Sequence, residues 1–482
     1  MRVALRPYMT VAVALAGANI IAVTPVLPPA LGTQVRAVRL TGDTADSPLG
    51  AGTAFVIGGS GTPVPSQSYV DAADTLYLAP RGFTGDAQSF FTPEGLYPLT
   101  GVKTLPFDTS EAQGQQMLET AILNQIAGGH VDAENPVVVW GWSQSSVISS
   151  LLMPQLQAQG VPSDDVHFVL VGNESAPNGG VLERFNIPID GQHPTVPSLG
   201  ITFSGAMPSD LYPTDNYTIE YDGFADFPQY TDNLISDLNG ILGIVFAHSQ
   251  YQNLTAEQLT PVADGGQAIQ LPTSAADTLA NYYMIPNPEL PLLQPLQSIP
   301  LIGQPLYDLL EPDMRILVNL GYGSITDGWS QGDADVPTLF EAGSPTGISS
   351  AALSTALSNG LQEGIHDAIK QLQNPDNYHL TSGGSGPDVD PTTTIPSFTD
   401  IVNDFSGDLS KLYATLLPDA DTANALLTTL PSVLVAFISQ QAADGNLLGG
   451  IDQAIAAATA LIPFALAYGV VGPLAGALDL PV

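Results

Sequence analysis

The 482-residue sequence contains no cysteine, and it has only 10 lysine and arginine residues against 47 aspartate and glutamate residues. The lack of cysteine excludes disulfides, thiolate nucleophiles and cysteine-ligated metal sites. The formal net charge of −37 repels phosphate backbones, so we do not expect nucleic acid as a partner. Charged residues make up only 12% of the chain, which favours a neutral or weakly polar substrate. We expect neither a metal nor an organic cofactor.

The first 30 residues combine two early arginines, Arg2 and Arg6, with the apolar run "PYMTVAVALAGANIIAVTPVLPPALG". This pattern predicts a signal peptide or a membrane anchor over residues 1–30, because a basic start before an apolar stretch is typical of export signals. No clear Ala-x-Ala cleavage site follows, so an uncleaved anchor is one interpretation and a buried core helix is another. With the arginines held in the cytoplasm, the rest of the chain would lie outside it, exported to the cell envelope as a membrane-anchored or secreted protein.

A serine follows a buried-looking strand in "PVVVWGWSQSS". A strand that turns into a helix through Gly-x-Ser-x-small is the nucleophile elbow of α/β-hydrolases, which predicts Ser143 as a nucleophile. Gly141 and Ser145 are small, as such a tight turn requires, although Ser145 stands where glycine is usual. The alternative is a strand, a glycine turn and a serine helix cap without catalysis.

Strand-like and helix-like segments alternate along residues 51–343. The segments "GTAFVIGGSGTP", "DTLYLAP", "DVHFVLVGNESAP" and "NYTIEYDGFADFP" read as strands, and helical patterns lie between several of them. This alternation predicts an α/β-hydrolase fold with a mainly parallel central sheet and helices on both faces. The ligand site of such a sheet lies at the carboxyl ends of its strands, where Ser143 would be.

The second half of the chain is different in composition. Pro/Leu-rich residues 255–320 predict a cap over the sheet, residues 380–396 around "SGGSGPDVDPTTT" predict a linker, and residues 397–482 predict a helical region. The C-terminal helices are rich in small apolar residues. A soluble helical hairpin is one interpretation, and packing on a partner helix or on lipid is the other.

A serine nucleophile requires a histidine base and an acid, in the chain order Ser, Asp or Glu, His for this fold. Among the six histidines, His248 follows an acid-ending strand and a helix, and His379 in a polar loop is its main competitor. For the acid, "YDGFADFP" offers two candidates. We prefer Asp226, which lies just beyond the strand in a Gly-x-x-Asp pattern, and keep Asp222 as the alternative.

Stabilisation of an oxyanion requires two backbone N–H donors. One is predicted at Gln144, the residue after the nucleophile. The other is predicted in the glycine-rich loop "IGGSGTP", at Gly59 or Ser60.

Three separated blocks resemble the PE-PPE domain of mycobacterial envelope proteins, a serine α/β-hydrolase domain related to cutinases. These blocks are "GWSQSS", "YTIEYDGFADFPQYTDNLISDLNGILGIVFAHSQY" and "LPLLQPLQSIPLIGQPLYDLLEPDMRILVNLGYG". The resemblance implies Ser143 as nucleophile, with an aspartate of the YDGFAD block and His248. It also implies a carboxylesterase or lipase that acts on acyl esters, or an acyltransferase that builds acylated trehalose lipids. We expect the short apolar N-terminus to stand in the place of the helical PE or PPE module of many relatives.

Three functions therefore remain. The first is an envelope esterase or lipase with an acyl-serine intermediate, acting on an acyl ester or glycolipid. The second is an acyltransferase in which a sugar hydroxyl replaces water. The third is a non-catalytic envelope protein that uses the hydrolase scaffold for binding.

Overall fold

The structure is a computed structural model that describes residues 49–189, 191–274, 278–373, 407, 410–411 and 414–477. The predicted anchor over residues 1–30 and the predicted linker over residues 380–396 lie outside the described residues, as does His379.

A seven-stranded sheet forms the centre of the molecule, in the order β2-β1-β3-β4-β7-β9-β8. Every neighbouring pair is parallel except β8 and β9, which are antiparallel. Strands β5 and β6 form a separate antiparallel ribbon. The strands are β1 Thr53–Ile57, β2 Asp86–Phe90, β3 Val137–Trp142, β4 Val166–Val171, β5 Thr195–Val196, β6 Ile201–Thr202, β7 Thr214–Ile219, β8 Ile269–Gln270 and β9 Ala280–Ile285.

Helices cover both faces of this sheet and continue into the C-terminal region. They are α1 Gln67–Ala73, α2 Phe107–Ala127, α3 Gln144–Ala158, α4 Val181–Arg184, α5 Leu234–Phe246, α6 Ala256–Leu259, α7 Gln294–Gln297, α8 Gly303–Asn319, α9 Ser350–Gln373, α10 Leu416–Asn424, α11 Leu430–Ala443, α12 Leu447–Leu466 and α13 Gly472–Ala477. Helix α9 packs along α8, and α11 packs along α12.

The predicted fold class is confirmed. Strands β4 and β7 are buried along their whole length, as expected for the middle of a parallel sheet covered on both faces. Their apolar side chains alternate between two core clusters, one on each face. Val169 and Val171 join one cluster, whereas Phe168 and Leu170 join the other.

Two segments differ from their sequence-based predictions. The stretch "DTLYLAP" is not a strand, because Asp74–Leu78 forms a π-helical turn and Ala79–Arg81 a 3-10 turn after α1. The predicted cap over residues 255–320 also differs, because β9 lies inside the sheet and pairs with β7 over six residues. Helices α7 and α8 follow β9, so only part of this region lies outside the sheet.

The C-terminal region is helical where it is described, and it packs against the sheet domain. Helices α10 and α11 join through a π-helical turn into Leu416–Ala443, and α12 continues into Leu447–Ala475. Among the described residues, these two long helices are apolar enough to cross a membrane by length and composition alone. Their inner side is part of an apolar cluster that includes Phe437 and Ala457 of the helices and Phe185 and Phe227 of the sheet domain.

Candidate active site

Ser143 lies on a strained turn between β3 and α3. Its backbone has φ 58° and ψ −125°, a conformation that residues other than glycine rarely adopt. The turn is tight, because a Cβ atom added to Gly141 would lie 3.0 Å from the backbone of Ser145. The Ser145 hydroxyl accepts a hydrogen bond from the Trp142 N–H at 2.8 Å and so fixes the turn. This geometry is that of a nucleophile elbow at the N-terminus of a 15-residue helix.

His248 begins a short 3-10 turn directly after α5, and its ring is held by an aspartate. The Nδ1 atom lies 2.8 Å from Oδ2 and 2.9 Å from Oδ1 of Asp222. The ring of Phe224 packs edge-on against the imidazole at a centroid distance of 4.9 Å. The Trp142 indole N–H donates to the backbone oxygen of His248 at 3.2 Å, which ties the histidine turn to the elbow.

Asp222 is fully buried, and its carboxylate accepts two further hydrogen bonds. The Tyr251 hydroxyl donates to Oδ2 at 2.7 Å, and the Phe224 N–H donates to Oδ1 at 3.0 Å. A buried carboxylate that accepts several hydrogen bonds is fixed in orientation. Asp222 therefore orients the His248 ring and holds its Nδ1 atom as the protonated one.

The preference for Asp226 as the partner of His248 is wrong. The Asp226 carboxylate accepts the Tyr221 N–H at 2.9 Å, inside its own loop. Burial raises the pKa of Asp226 well above the usual aspartate value, and Arg184 only partly opposes this effect. Strand β7 ends at Ile219, and the left-handed Tyr221 (φ 67°) then turns the chain so that Asp222, the alternative acid, faces His248.

The electrostatic setting of His248 suits a base. Burial alone would lower the pKa of His248, but the negative charge and hydrogen bond of Asp222 raise it, and Glu174 adds to the rise, so the pKa lies above the usual value. The Nε2 atom is buried and hydrogen-bonds to none of the described residues. A proton taken up at Nε2 is thus stabilised by the two carboxyls.

Glu174 is a site residue that the sequence reasoning missed. The Ser143 hydroxyl donates to its Oε1 atom at 3.1 Å, and its side chain is buried in the loop after β4. Burial raises the pKa of Glu174 to about 7, although the charge of His248 and the hydrogen bond from Ser143 oppose this rise. The sequence feature that could have indicated a role for Glu174 is its position in "VGNESAP", just past the carboxyl end of a buried strand.

Two more buried carboxyls lie behind Glu174. Burial raises the pKa of Glu94 to about 8, and burial also raises that of Glu111 well above the usual value. Glu174 and Glu94 each contribute to the rise at Glu111. Burial, together with the repulsion between these carboxyls, favours the protonated forms of Glu94 and Glu111 near neutral pH, whereas His248 and Ser143 favour the charged form of Glu174.

The two predicted oxyanion donors lie beside the nucleophile. The Gln144 side chain is clamped by Ser110, whose hydroxyl donates to Oε1 at 2.9 Å, and by the Gly95 carbonyl, which accepts from Nε2 at 2.7 Å. A Cβ atom on Gly59 would lie 3.1 Å from that of Ser143, so the glycine-rich loop contacts the elbow closely. Gly59 and Ser60 of this loop both remain candidates for the second donor.

The other described histidines do not join this site. His167 is buried at the amino end of β4, whereas Glu174 follows the carboxyl end of this strand. The Nε2 atom of His167 lies 3.0 Å from Oδ2 of Asp215. His130, His193 and His366 are exposed. Within the described part of the chain, no group of three or more His, Asp or Glu side chains is arranged to hold a metal ion.

An apolar cavity of about 110 Å³ adjoins the site. Glu174 and Phe224 line it on the catalytic side. Most of its wall is apolar and comes from two sources. The sheet domain contributes Leu96, Phe107, Val181, Leu182, Phe185, Val196, Leu199, Ile201 and Phe203, and the C-terminal helices contribute Ala425, Leu426, Leu430, Val433, Phe437, Leu461, Phe464 and Ala465. None of the described residues between 255 and 320 lines it, so the predicted cap does not cover this cavity.

The sheet topology and the elbow define the class of the protein, which is that of the α/β-hydrolase fold. Within that class, the chain carries a PE-PPE domain, because residues 84–323 match the profile of that domain. The resemblance stated from the sequence is therefore confirmed.

Several known proteins of Mycobacterium tuberculosis are similar to this chain. The uncharacterized PPE family protein PPE28 is 41% identical over 83% of this chain and 61% of its own length. Esterase PE16 is 43% identical over 62% of this chain and 53% of its own length. Diacyltrehalose acyltransferase Chp2 is 25% identical over 52% of this chain and 70% of its own length. The chain thus spans between one half and two thirds of PPE28 and PE16.

A cutinase-like protein from Cryptococcus sp. is one solved structure that is similar to part of this chain. It has a TM-score of 0.24 and 17% sequence identity, and the match covers 36% of this chain and 79% of that chain.

Proposed function

We propose that the protein is a serine esterase or lipase that cleaves acyl esters through an acyl-serine intermediate. The observation that carries the proposal is the combination of Ser143 on a strained elbow with a His248 ring that Asp222 fixes through Nδ1. The PE-PPE domain and the similarity to Esterase PE16 support it. An isolated serine cap would need neither the strain nor the buried Asp222 and His248 pair.

In the first half-reaction, the Ser143 hydroxyl turns from Glu174 to Nε2 of His248 and attacks the ester carbonyl carbon. A bond forms between Oγ and this carbon while the proton passes to Nε2. The backbone N–H groups of Gln144 and of either Gly59 or Ser60 stabilise the resulting oxyanion. The carbon–oxygen bond to the alcohol then breaks, and the alcohol leaves with the proton from Nε2.

In the second half-reaction, water attacks the acyl-Ser143 carbonyl while His248 accepts a proton from the water. The acyl carbon–Oγ bond breaks, the carboxylic acid leaves and the proton returns to Oγ of Ser143. Throughout both halves, Asp222 accepts the Nδ1 hydrogen of His248 and stabilises the imidazolium.

Purified protein assayed with p-nitrophenyl esters tests the proposal. We expect Ser143→Ala and His248→Ala each to abolish turnover, because members of such a unit fail together. His366→Ala is a matched control, since His366 is exposed on helix α9, which does not line the cavity. His379→Ala should also keep ester turnover close to that of the parent protein. Equal turnover by the parent protein and a folded Ser143→Ala variant would refute the proposal and favour a non-catalytic binding protein.

A second candidate function is acyl transfer to a sugar hydroxyl, and the similarity to diacyltrehalose acyltransferase Chp2 favours it. The first half-reaction is the same, and the acceptor hydroxyl then takes the place of water. Adding trehalose to the ester assay distinguishes the two functions. An acylated trehalose product would support transfer, and release of free acid alone would support hydrolysis.

We further propose that the protein works at the cell envelope after export, with the apolar segment of residues 1–30 as its signal or anchor. The acyl ester or glycolipid substrate would then be reached from outside the cytoplasm. Fractionation of cells that produce the full chain tests this, and recovery in the cytosol would contradict it.

A further inference from the structure

We infer that the cavity beside Glu174 is a binding site for the acyl chain of the substrate and that the C-terminal helices form its outer wall. The inference rests on the proposed function and adds to it the site that selects the acyl group. It assigns a role to residues 416–475, which lie beyond the PE-PPE domain match at residues 84–323.

The chemistry of the wall defines the ligand. Almost all of the lining side chains are aliphatic or aromatic, and the polar ones include Glu174, Thr195, Thr429 and Tyr468. A chain of methylene groups gains free energy from such a wall and requires no hydrogen bonds from it. A sugar or a peptide would leave its polar groups without partners there.

The position of the cavity fixes the direction of the ligand. Glu174 lines the cavity and also accepts the hydrogen bond from Ser143. Phe224 lines it too, and its ring contacts the His248 imidazole. An ester whose carbonyl reaches Ser143 can therefore extend its apolar chain away from the catalytic groups, between the sheet domain and the helices.

Specific hydrogen bonds hold the helices against the sheet domain at this cavity. The Tyr97 hydroxyl donates to the Asp421 carboxylate at 2.7 Å, and the Ser198 hydroxyl donates to the Asp421 carbonyl at 2.9 Å. The Tyr468 hydroxyl donates to the carbonyl of Tyr97 at 2.8 Å. Further along, the Thr231 hydroxyl donates to the carbonyl of Ala456 at 3.0 Å. These buried or half-buried contacts make the helices a fixed part of the cavity wall.

Aromatic contacts continue the same interface. Phe464 packs on Phe224 and on Phe227 at centroid distances of 6.3 Å, and it stacks on Tyr468 at 6.3 Å. The ring of Phe464 thus connects the helix pair with the residue that contacts His248.

A substitution on the C-terminal helices that narrows the cavity tests the inference. In Ala465→Phe, a phenyl ring replaces the methyl group of a lining residue, whereas Ala442→Phe adds the same ring at an exposed position of α11. We expect Ala465→Phe to lower the ratio of kcat/KM for decanoyl over acetyl p-nitrophenyl ester at least tenfold, and Ala442→Phe to leave the ratio unchanged. An unchanged ratio in a folded Ala465→Phe protein would overturn the inference.

A binding measurement separates this inference from the proposed function. A fluorescent dodecanoic acid analogue is titrated into the full chain carrying Ser143→Ala, alone and combined with each phenylalanine variant. We expect at least tenfold weaker binding with Ala465→Phe than with Ala442→Phe. Binding with this pattern in a protein that cleaves no ester would refute only the proposed function, and equal binding by all three proteins would refute the acyl site.

Because an added ring can also disturb the fold, Leu461→Ala provides the opposite change at the same wall. Removing this side chain enlarges the cavity, so we expect the ester chain length with the highest kcat/KM to increase. A shift toward shorter chains would contradict the assignment.

Discussion

The Nδ1 atom of His248 and the Oδ2 atom of Asp222 lie 2.8 Å apart, whereas the carboxylate of Asp226, four residues later in the chain, binds the Tyr221 N–H. This relationship identifies which of two neighbouring aspartates orients the imidazole.

We therefore predict that Asp222→Asn lowers kcat on the order of 10³–10⁴-fold, because an amide no longer stabilises the imidazolium and favours the wrong tautomer. Asp226→Asn should keep kcat close to the parent value. Asparagine retains an oxygen that accepts the Tyr221 N–H, and the raised pKa of Asp226 means that a neutral side chain already suits this site. Steady-state ester hydrolysis measures both, and the reverse ranking would make Asp226 the acid of the site.

The Glu174 carboxyl should control the pH dependence of activity. Its negative charge raises the pKa of His248, and activity requires neutral His248, so activity is lost as the pH falls through that pKa. In Glu174→Gln this charge is absent, the pKa of His248 is lower, and the acidic limb of the kcat/KM profile should move to lower pH. A profile that keeps its acidic limb, or moves it to higher pH, would exclude this coupling.

Gly172 should be required at the end of β4 for the position of His248. It has φ 57°, and an added Cβ would lie 2.9 Å from Cε1 of His248 and 2.8 Å from the Tyr251 ring. We predict that Gly172→Ala displaces the imidazole and lowers kcat/KM on the order of 10²-fold.

Gly160→Ala is the matched control for this change. Gly160 also has a positive φ, of 78°, but an added Cβ would contact nothing within 4 Å. Both variants carry a backbone cost of about 1–2 kcal/mol, measurable by chemical denaturation, and only Gly172→Ala should lose activity. Equal activity in the two variants would show that crowding at His248 does not matter.

The strain at Ser143 should be measurable as stability. Ser143→Gly and Ser143→Ala both remove the hydroxyl and its hydrogen bond to Glu174, so both should be inactive. Only glycine relieves the backbone at φ 58°, and we predict a free energy of unfolding about 1–3 kcal/mol higher for Ser143→Gly than for Ser143→Ala. Urea denaturation of the two variants compares them directly, and equal or lower stability of the glycine variant would argue against stored strain.

The sequence predicted the parts of the site that depend on local pattern. Ser143 follows a buried strand through a turn that admits only small residues, and His248 follows the acid-bearing strand by one helix. The distinction between Asp222 and Asp226 depended instead on the left-handed Tyr221, a backbone angle that the residue type does not indicate. Glu174 lacked a motif, because its role comes from burial and from its distance to Ser143.

The sheet strand within the predicted cap region was missed for a related reason. Proline and leucine dominate residues 255–320 and obscured the short strand "ANYYMI" within them, whose partner strand is distant in sequence. The helices that do wall the cavity had an apolar pattern that was equally consistent with a separate hairpin. Only three-dimensional packing brings them against Phe224 and Glu174.

The wall of the cavity comes from two stretches of one chain, the sheet domain and the C-terminal helices. Exchanges among aliphatic and aromatic residues on α11 and α12 would reshape the space beside the elbow while the hydrogen bonds of Asp222 stay intact, since all of these lie within the sheet domain. The choice of acyl chain and the chemistry of ester cleavage are therefore separate in this fold, and substitutions in the C-terminal helices would change the first without the second.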